Sequence, residues 1–209
     1  MTDKSASWSY AEGLAAEDTV VVRARERSLE LGVSPVSPGV GAVLTVLAST
    51  SKAQAVVEVG TGAGVSGVCL LRGLPERCTF TTIDTDVEHL KAARQAFAEA
   101  GVSLSRIRTI PGRAQAVLPR LNDAAYDLVF IDADKAGTVL YADEAVRLLR
   151  QGGLLVINDA LDHEGVANPA HPEPAAVRLR ALHRRLVEDE RLNTALVPTG
   201  QGLFLASRR

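Results

Sequence analysis

The middle of the chain alternates short apolar runs with helix-like patterns, and this alternation limits the possible folds more than any other feature. The runs are rich in Val, Ile and Leu, as expected for parallel strands that are covered on both faces. They occupy Ala55–Val59, Thr79–Ile83, Ile107–Ile110, Leu128–Ile131 and Gly153–Ile157. The alternation predicts βαβ units, and therefore an α/β fold with a doubly wound, mostly parallel sheet.

Helices are predicted between these runs and at both ends of the chain. Thr85 and Glu88 would form a capping box at the start of one helix, and Gly152 would stop another. Helices are predicted over residues 8–31, Val40–Ser49, Val87–Ala100, Val139–Arg150 and Pro174–Asp189, and a terminal hairpin over Ala195–Val197 and Leu203–Ala206. A length of 209 residues is typical of one domain. We therefore expect a helical cap over residues 1–50 on a core over residues 51–209.

Composition excludes several classes of protein. The chain has 23 Lys and Arg against 25 Asp and Glu, a net charge of −2, which argues against a nucleic-acid-binding protein. No apolar run approaches the roughly 18 residues that a membrane span needs. The two cysteines, Cys69 and Cys78, form neither a metal motif nor a disulfide framework. We expect a cytoplasmic protein that binds neither nucleic acid nor membranes.

A glycine-rich turn follows the first predicted strand and opens a helix, and it allows two cofactor interpretations. The spacing Gly62-x-Gly64-x-x-Gly67, with Asp84 20 residues after Gly64, fits the dinucleotide fingerprint of an NAD(P)-dependent oxidoreductase. However, Glu58 ends the strand before the turn, where its charge would repel a pyrophosphate. A cofactor that carries an ammonium and a sulfonium would be attracted there instead.

Three segments together resemble one enzyme family. They are Glu58–Gly64, Thr82–Asp84 and Val129–Lys135, which read EVGTGAG, TID and VFIDADK. Over roughly residues 30–206, the chain resembles O-methyltransferases of the catechol/caffeoyl-CoA type, which use S-adenosylmethionine (SAM), and more narrowly those of mycobacteria and related actinobacteria. The resemblance implies a Rossmann-like sheet of seven strands whose last strand is antiparallel, a small-molecule hydroxyl acceptor and a homodimer.

The resemblance also implies a cofactor site. Glu58 would lie near the methionine part of SAM, Ser66 would bind its carboxylate, and Asp84 would bind the ribose hydroxyls. Arg113 and Ala114 would flank the adenine. The full predicted set is Val40, Glu58, Gly60, Thr61, Gly62, Ser66, Asp84, Thr85, Arg113, Ala114, Asp132 and Asp134.

The reaction would be an in-line displacement of the sulfonium methyl group by an acceptor oxygen, which has to lose its proton. Lys135 is the candidate base together with Asp132, although Lys135 could equally be a surface residue. Asp132 and Tyr141 would face the acceptor, although Tyr141 could equally be a core or helix-surface residue.

The metal site of this family uses the first Asp of the IDAD segment, here Asp132, and an Asp-Asn pair after the fifth strand. This chain has the reversed order, Asn158-Asp159. These oxygen ligands suit Mg²⁺ or another divalent cation, but they could also simply cap the turn.

Three hypotheses follow from the sequence. The leading one is a SAM-dependent O-methyltransferase, since the chain has Asp132-Ala133-Asp134 where enzymes that methylate amino groups or nucleobases usually carry an Asn/Asp-Pro-Pro-aromatic motif. The alternatives are an NAD(P)-dependent oxidoreductase and a SAM-binding protein with degenerate catalysis.

Overall fold

A computed structural model places helices on both faces of one mixed sheet. It describes residues 4–163, 165–168, 170 and 172–209. The helices are α1 (Lys4–Leu14), α2 (Thr19–Glu30), α3 (Pro38–Ser51), α4 (Val65–Gly73), α5 (Val87–Glu99), α6 (Ala114–Val117), α7 (Thr138–Leu148) and α8 (Pro174–Glu188). The strands are β1 (Ala55–Val59), β2 (Thr79–Asp84), β3 (Ile107–Pro111), β4 (Tyr126–Ile131), β5 (Leu149–Ile157), β6 (Leu192–Val197) and β7 (Leu203–Arg208).

The strand order is β3-β2-β1-β4-β5-β7-β6 within the described part of the chain. Strands β1 to β5 pair in parallel, while β7 lies antiparallel between β5 and β6. The chain reverses direction across the sheet at β1, so the carboxyl ends of β1 and β4 flank a topological switch point. In doubly wound folds, ligands bind at this position. The predicted fold class, including the antiparallel terminal hairpin, is confirmed.

Each face of the sheet carries its own hydrophobic core. Helices α2 to α5 pack on one face, where Leu44, Leu70 and Phe97 are buried with Phe80 and Phe130 from the strands. Helices α7 and α8 cover the other face. Because successive strand residues point to opposite faces, a strand buried on both sides reads as a continuous apolar run, which explains the sequence pattern.

Two predictions about helix boundaries are wrong. Residues 8–31 do not form one helix, because Asp18 begins α2 by accepting hydrogen bonds from the amides of Val20 and Val21. The N-cap of α5 is Asp86 rather than Thr85, and it accepts from the amide of Glu88.

The expected role of Gly152 is also wrong. Helix α7 ends at Leu148 and β5 begins at once, so Gly152 lies inside the strand, with a φ of 78°. The pairing of β5 with β4 shifts register in this region, between Tyr126 and Leu128. Gly152 therefore supplies the positive φ of a strand irregularity and does not end a helix.

Cys69 and Cys78 are free and buried, and burial raises the pKa of each thiol to about 11. Among the residues that the structure describes, no helix combines the length and the apolar character that a membrane crossing requires.

Candidate functional site

A cavity of about 250 Å³ opens at the carboxyl ends of β1, β2 and β4. The turn after β1 forms its floor, and the segment between α2 and α3 forms one wall. Its main polar lining residues are Ser34, Thr61, Ser66, Asp84, Thr85, His89, Asp132, Asp134 and Tyr141. The cavity thus lies at the switch point that the strand order creates.

The turn after β1 can follow its path only because glycines occupy it. Gly60 has a φ of 92°, and a Cβ atom there would lie 1.8 Å from the carbonyl oxygen of Asp132. Gly62 has a φ of 49°, and a Cβ atom there would lie 3.2 Å from Val33 Cγ1, while Gly64 is the N-cap of α4. The turn therefore runs directly against the loop after β4, so the floor of the cavity meets the wall that this loop forms.

The Asp84 carboxylate sits beside this turn and accepts four hydrogen bonds. Its Oδ2 accepts from the amides of Thr61 and Gly62, each at 3.0 Å. Its Oδ1 accepts from the Asp86 amide at 2.9 Å and faces Nδ1 of His89 at 3.2 Å. This carboxylate therefore joins the turn after β1 to the start of α5.

Glu58 lies beneath the turn and is fully buried. It accepts hydrogen bonds from the hydroxyls of Ser66 (2.7 Å) and Thr82 (2.6 Å), and Thr61 Oγ1 lies 2.6 Å from Thr82 Oγ1. Burial raises the pKa of Glu58 to about 8, although these hydroxyls oppose the rise. Glu58 therefore anchors the turn from below and is not among the residues that line the cavity.

Two acidic residues after β4 form the opposite wall. Burial raises the pKa of Asp132 to about 6, the Asn158 amide opposes this rise, and the charge of Asp159 adds to it. Asp134 accepts from the Gly137 amide at 2.7 Å and from the Tyr141 hydroxyl at 2.6 Å. Burial and this contact with Asp134 hold the pKa of Tyr141 far above its usual range, so the hydroxyl acts as a donor.

Asn158 and Asp159, the other two predicted metal ligands, lie next to Asp132. The side-chain nitrogen of Asn158 is 3.0 Å from Asp132 Oδ1 and 3.3 Å from Asp159 Oδ1. The other amide atom, Asn158 Oδ1, is buried and has no hydrogen-bond partner among the described residues. Within the same residues, no group of three or more His, Cys, Asp or Glu side chains is arranged to hold a metal ion. Any cation here would rely on the Asn158 oxygen as well as two carboxylates.

Lys135 extends away from the cavity toward the segment after β5. Its ammonium forms an ion pair with Asp162 and donates a hydrogen bond to it. In this contact the nitrogen is directed at Asp162, so it is not placed to accept a proton from an acceptor in the cavity. A base role for Lys135 stays a prediction, and it would require this pair to open.

The structure brings most of the predicted cofactor residues to one cavity. Those that line it are Gly60, Thr61, Gly62, Ser66, Asp84, Thr85, Ala114, Asp132 and Asp134, and Tyr141, which was predicted to face the acceptor, lines it as well. The remaining predicted residues, which do not line it, are Val40, Glu58, Arg113, Lys135, Asn158 and Asp159. Val40 is buried within α3, and Arg113 is exposed at the start of α6.

Two parts of the cavity were not predicted from the sequence, namely the wall at residues 33–36 and the lining residue His89. The pair Ser34-Pro35 indicates a break between helices, but it does not show that the connecting segment folds over the turn after β1. His89 lies in the first turn of α5, five residues after Asp84. That helix begins directly after β2, so the position of His89 could have been inferred.

Comparison with known proteins identifies the family. A model of the O-methyltransferase family matches residues 14–209. The relative named "Probable O-methyltransferase Rv1220c" from Mycobacterium tuberculosis is 50% identical over 201 residues, which are 96% of this chain and 90% of the relative.

Two solved structures share the fold closely. A Corynebacterium glutamicum protein superposes with a TM-score of 0.88 at 32% identity, over 95% of this chain and 94% of its own. The O-methyltransferase TomG from Streptomyces achromogenes, in complex with SAM, superposes with a TM-score of 0.87 at 28% identity, over 100% and 99% of the two chains. The chain described here belongs to the O-methyltransferase family.

Proposed function

We propose that the cavity binds SAM and that the protein transfers its methyl group to a hydroxyl of a small-molecule acceptor. The observation that carries the proposal is the charge of the lining: Asp84, Asp132 and Asp134 line the cavity, and no Lys or Arg does so among the described residues. SAM carries a sulfonium and an ammonium, which such a lining attracts. The crystal structure of TomG with SAM, in a protein of the same fold, also supports the proposal.

The same lining argues against the dinucleotide interpretation. A pyrophosphate in a dinucleotide fold is bound by free amides of the glycine turn at a helix N-terminus. Here the amides of Thr61 and Gly62 donate to the Asp84 carboxylate, and a pyrophosphate would meet three negative charges. The oxidoreductase hypothesis is therefore the weaker one.

SAM supplies an electrophilic methyl group when it is bound. The protein's own task is to hold the acceptor in line with that group and to remove the proton from its hydroxyl. Asp132 is the side chain best placed to accept the proton of the acceptor hydroxyl, because it lines the cavity and burial raises its pKa toward neutrality. Asp134 is held by Tyr141 and Gly137, so it would act by charge and orientation.

We also propose a divalent cation site at Asp132, Asn158 and Asp159. The fit rests on the buried Asn158 Oδ1, which lacks a partner among the described residues, and on the amide nitrogen that now lies between two carboxylate oxygens. A half-turn of the Asn158 amide would present its oxygen where its nitrogen now lies. Oxygen ligands of this kind suit Mg²⁺ or Ca²⁺, and a bound cation would increase the acidity of an acceptor hydroxyl.

Calorimetry and a transfer assay test the function. S-Adenosylhomocysteine (SAH) is expected to bind and NAD is not, and Asp84→Asn should weaken SAH binding at least fivefold because it removes a charged acceptor. Binding of NAD but not SAH would overturn the proposal. Methyl transfer to a panel of hydroxylated small molecules should occur, and SAH binding without transfer to any of them would favour degenerate catalysis.

A chelator and Mn²⁺ binding separate the two ways of removing the proton. Loss of transfer with a chelator, restored by Mg²⁺ in the wild type but not in Asn158→Ala, would support the cation site. Transfer that survives the chelator and is abolished by Asp132→Asn would leave Asp132 alone as the base. Mn²⁺ binding, followed by its electron paramagnetic resonance signal, gives a readout that does not depend on turnover.

We further propose a homodimer that forms in the reducing cytoplasm. Large apolar side chains are exposed on the N-terminal helices, including Trp8, Leu14, Leu29 and Val46, of which Leu14 is 70% exposed. The free, buried cysteines are compatible with a reducing compartment. Light scattering should give twice the chain mass, and Leu14→Glu with Leu29→Glu should shift it to one chain mass; a wild-type monomer would reject the dimer.

A further inference from the structure

The hydrogen bonds of Asp84 leave its carboxylate with no spare acceptor position. A carboxylate offers about four lone-pair sites, two on each oxygen. The amides of Thr61 and Gly62 fill those on Oδ2, while the Asp86 amide and the His89 imidazole fill those on Oδ1. Any ligand hydroxyl that donates to Asp84 therefore has to replace one of these donors.

Among the described residues, His89 is the only side chain of the four donors, and so it is the one that can give way without moving the backbone. It lies in the first turn of α5 and lines the same cavity as Asp84 and Thr85. Its Nδ1 faces the carboxylate and therefore carries the proton in this contact. Its Nε2 lies 3.8 Å from the Asp86 carboxylate, which is beyond hydrogen-bond distance.

We infer that His89 and Asp84 form a donor–acceptor pair into which one ribose hydroxyl of the nucleoside ligand inserts. A hydroxyl can donate to Asp84 Oδ1 and accept from His89 Nδ1 at once, so both protein groups remain satisfied. An ammonium group at that position could not accept from His89, and an ether oxygen could not donate to Asp84. A hydrogen atom there could do neither. His89 is thus a positioning and specificity residue for the ribose, and this role rests on the proposed binding of SAM.

The test is a calorimetric comparison of ligands and variants. The ligands are SAH and its 2′-deoxy and 3′-deoxy analogues, and the variants are His89→Leu, which removes the donor, and His89→Asn, which keeps an N–H close to the Nδ1 position. His89→Leu should weaken SAH binding about fivefold to tenfold, and His89→Asn should recover most of this loss. For one of the two deoxy analogues, wild type and His89→Leu should bind with nearly equal affinity.

The outcomes separate this inference from the proposed function. Unchanged SAH affinity in His89→Leu would overturn the inference, and so would an equal loss for SAH and both deoxy analogues, since a merely structural role predicts that result. A wild-type protein that does not bind SAH at all would overturn the proposed function first. Thermal unfolding of each variant without ligand checks that the change at residue 89 leaves the fold intact.

Discussion

The turn after β1 and the segment after β5 both begin at the carboxyl ends of parallel strands, but different residue types adopt the positive φ values in the two regions. In the turn after β1, every residue with a positive φ is a glycine. In the segment after β5, Asp159, Asp162 and His163 have φ values of 54°, 47° and 48°. One region therefore bends without strain, whereas the other bends with side chains that disfavour this conformation.

The difference shows what each region contributes. A left-handed residue other than glycine costs on the order of 1 kcal/mol, somewhat less for Asp. In the turn after β1, other backbone segments approach the chain closely, and a side chain would block this approach. The segment after β5 offers side chains: Asp159 lies beside Asn158, and Asp162 holds Lys135. Asp159 and Asp162 thus combine a strained backbone with a side chain that makes contacts.

The largest effect is expected for Gly60→Ala, which would put a side chain into the region that has no room for one. The new Cβ would lie 1.8 Å from the Asp132 carbonyl oxygen, and the φ of 92° disfavours alanine. We expect the free energy of unfolding to fall by about 3 kcal/mol or more. Urea unfolding measures this.

Gly13→Ala is the matched control for this substitution. Gly13 lies in α1, and a Cβ added to it would meet nothing within 4 Å among the described residues. The same chemical change should therefore be neutral or stabilise the protein by about 0.5–1 kcal/mol. Equal stability of the two variants would contradict the account of the turn.

Next in size is the pH dependence that Glu58 gives to the anchor beneath the turn. Its folded-state pKa is raised to about 8 from an ordinary value of 4.5, so the folded state binds the proton more tightly than the unfolded state. This contribution to stability is fully present below about pH 4.5 and is lost as pH rises through about 8.

Glu58→Gln removes this titration while keeping a group that can pair with Ser66 and Thr82. The difference in unfolding free energy between variant and wild type should therefore rise in favour of the variant between about pH 5 and 8.5, by on the order of a few kcal/mol. A difference that does not change with pH would contradict the buried position of this carboxyl.

A smaller effect is expected for Asp159→Gly, which tests the strained region directly. Glycine adopts the φ of 54° freely, so the protein should become more stable by up to about 1 kcal/mol. The proposed cation site would lose a ligand, and Mn²⁺ affinity should fall. Asp159→Asn, which keeps an oxygen, should retain part of that affinity. A loss of stability in Asp159→Gly would show that the contacts of the side chain outweigh the strain.

The smallest effect is expected for the ion pair between Lys135 and Asp162. Both side chains are partly exposed. A double-mutant cycle of Lys135→Met and Asp162→Asn, measured by the free energy of unfolding, should therefore give a coupling energy of about 0.2–1 kcal/mol that shrinks with added salt. Transfer activity distinguishes the roles of Lys135. If turnover survives in Lys135→Met, the base lies elsewhere, as the contact with Asp162 indicates.

The sheet can be predicted from the sequence because burial on both faces produces continuous apolar runs. The run Ala55–Val59 is a strand with the predicted bounds, and the other parallel strands differ only at their ends. Helix ends are harder to predict, because they depend on single side chains: Asp18 and Asp86 begin helices through local hydrogen bonds that apolar spacing does not reveal. The prediction for Gly152 fails because glycine ends helices and also permits strand irregularities.

The cavity can be predicted where residues act through the backbone or lie at strand ends, as Gly60, Asp84 and Asp132 do. Residues that reach the cavity by long-range packing cannot, such as Ser34 in the segment between α2 and α3. Glu58 shows a third case. Its place in the chain predicts correctly that it lies next to the turn, but only the structure shows that Ser66 and Thr82 occupy its oxygens from within the core.

The place of β7 in the sheet has a consequence for synthesis of the chain. Residues 203–208 follow all the other strands in the chain, yet β7 lies between β5 and β6 and pairs with Leu154–Ile157. Until Leu203 has left the ribosome, β5 presents an open hydrogen-bonding edge with buried-type apolar residues. A chain that lacks β7 is therefore prone to edge-to-edge association through β5.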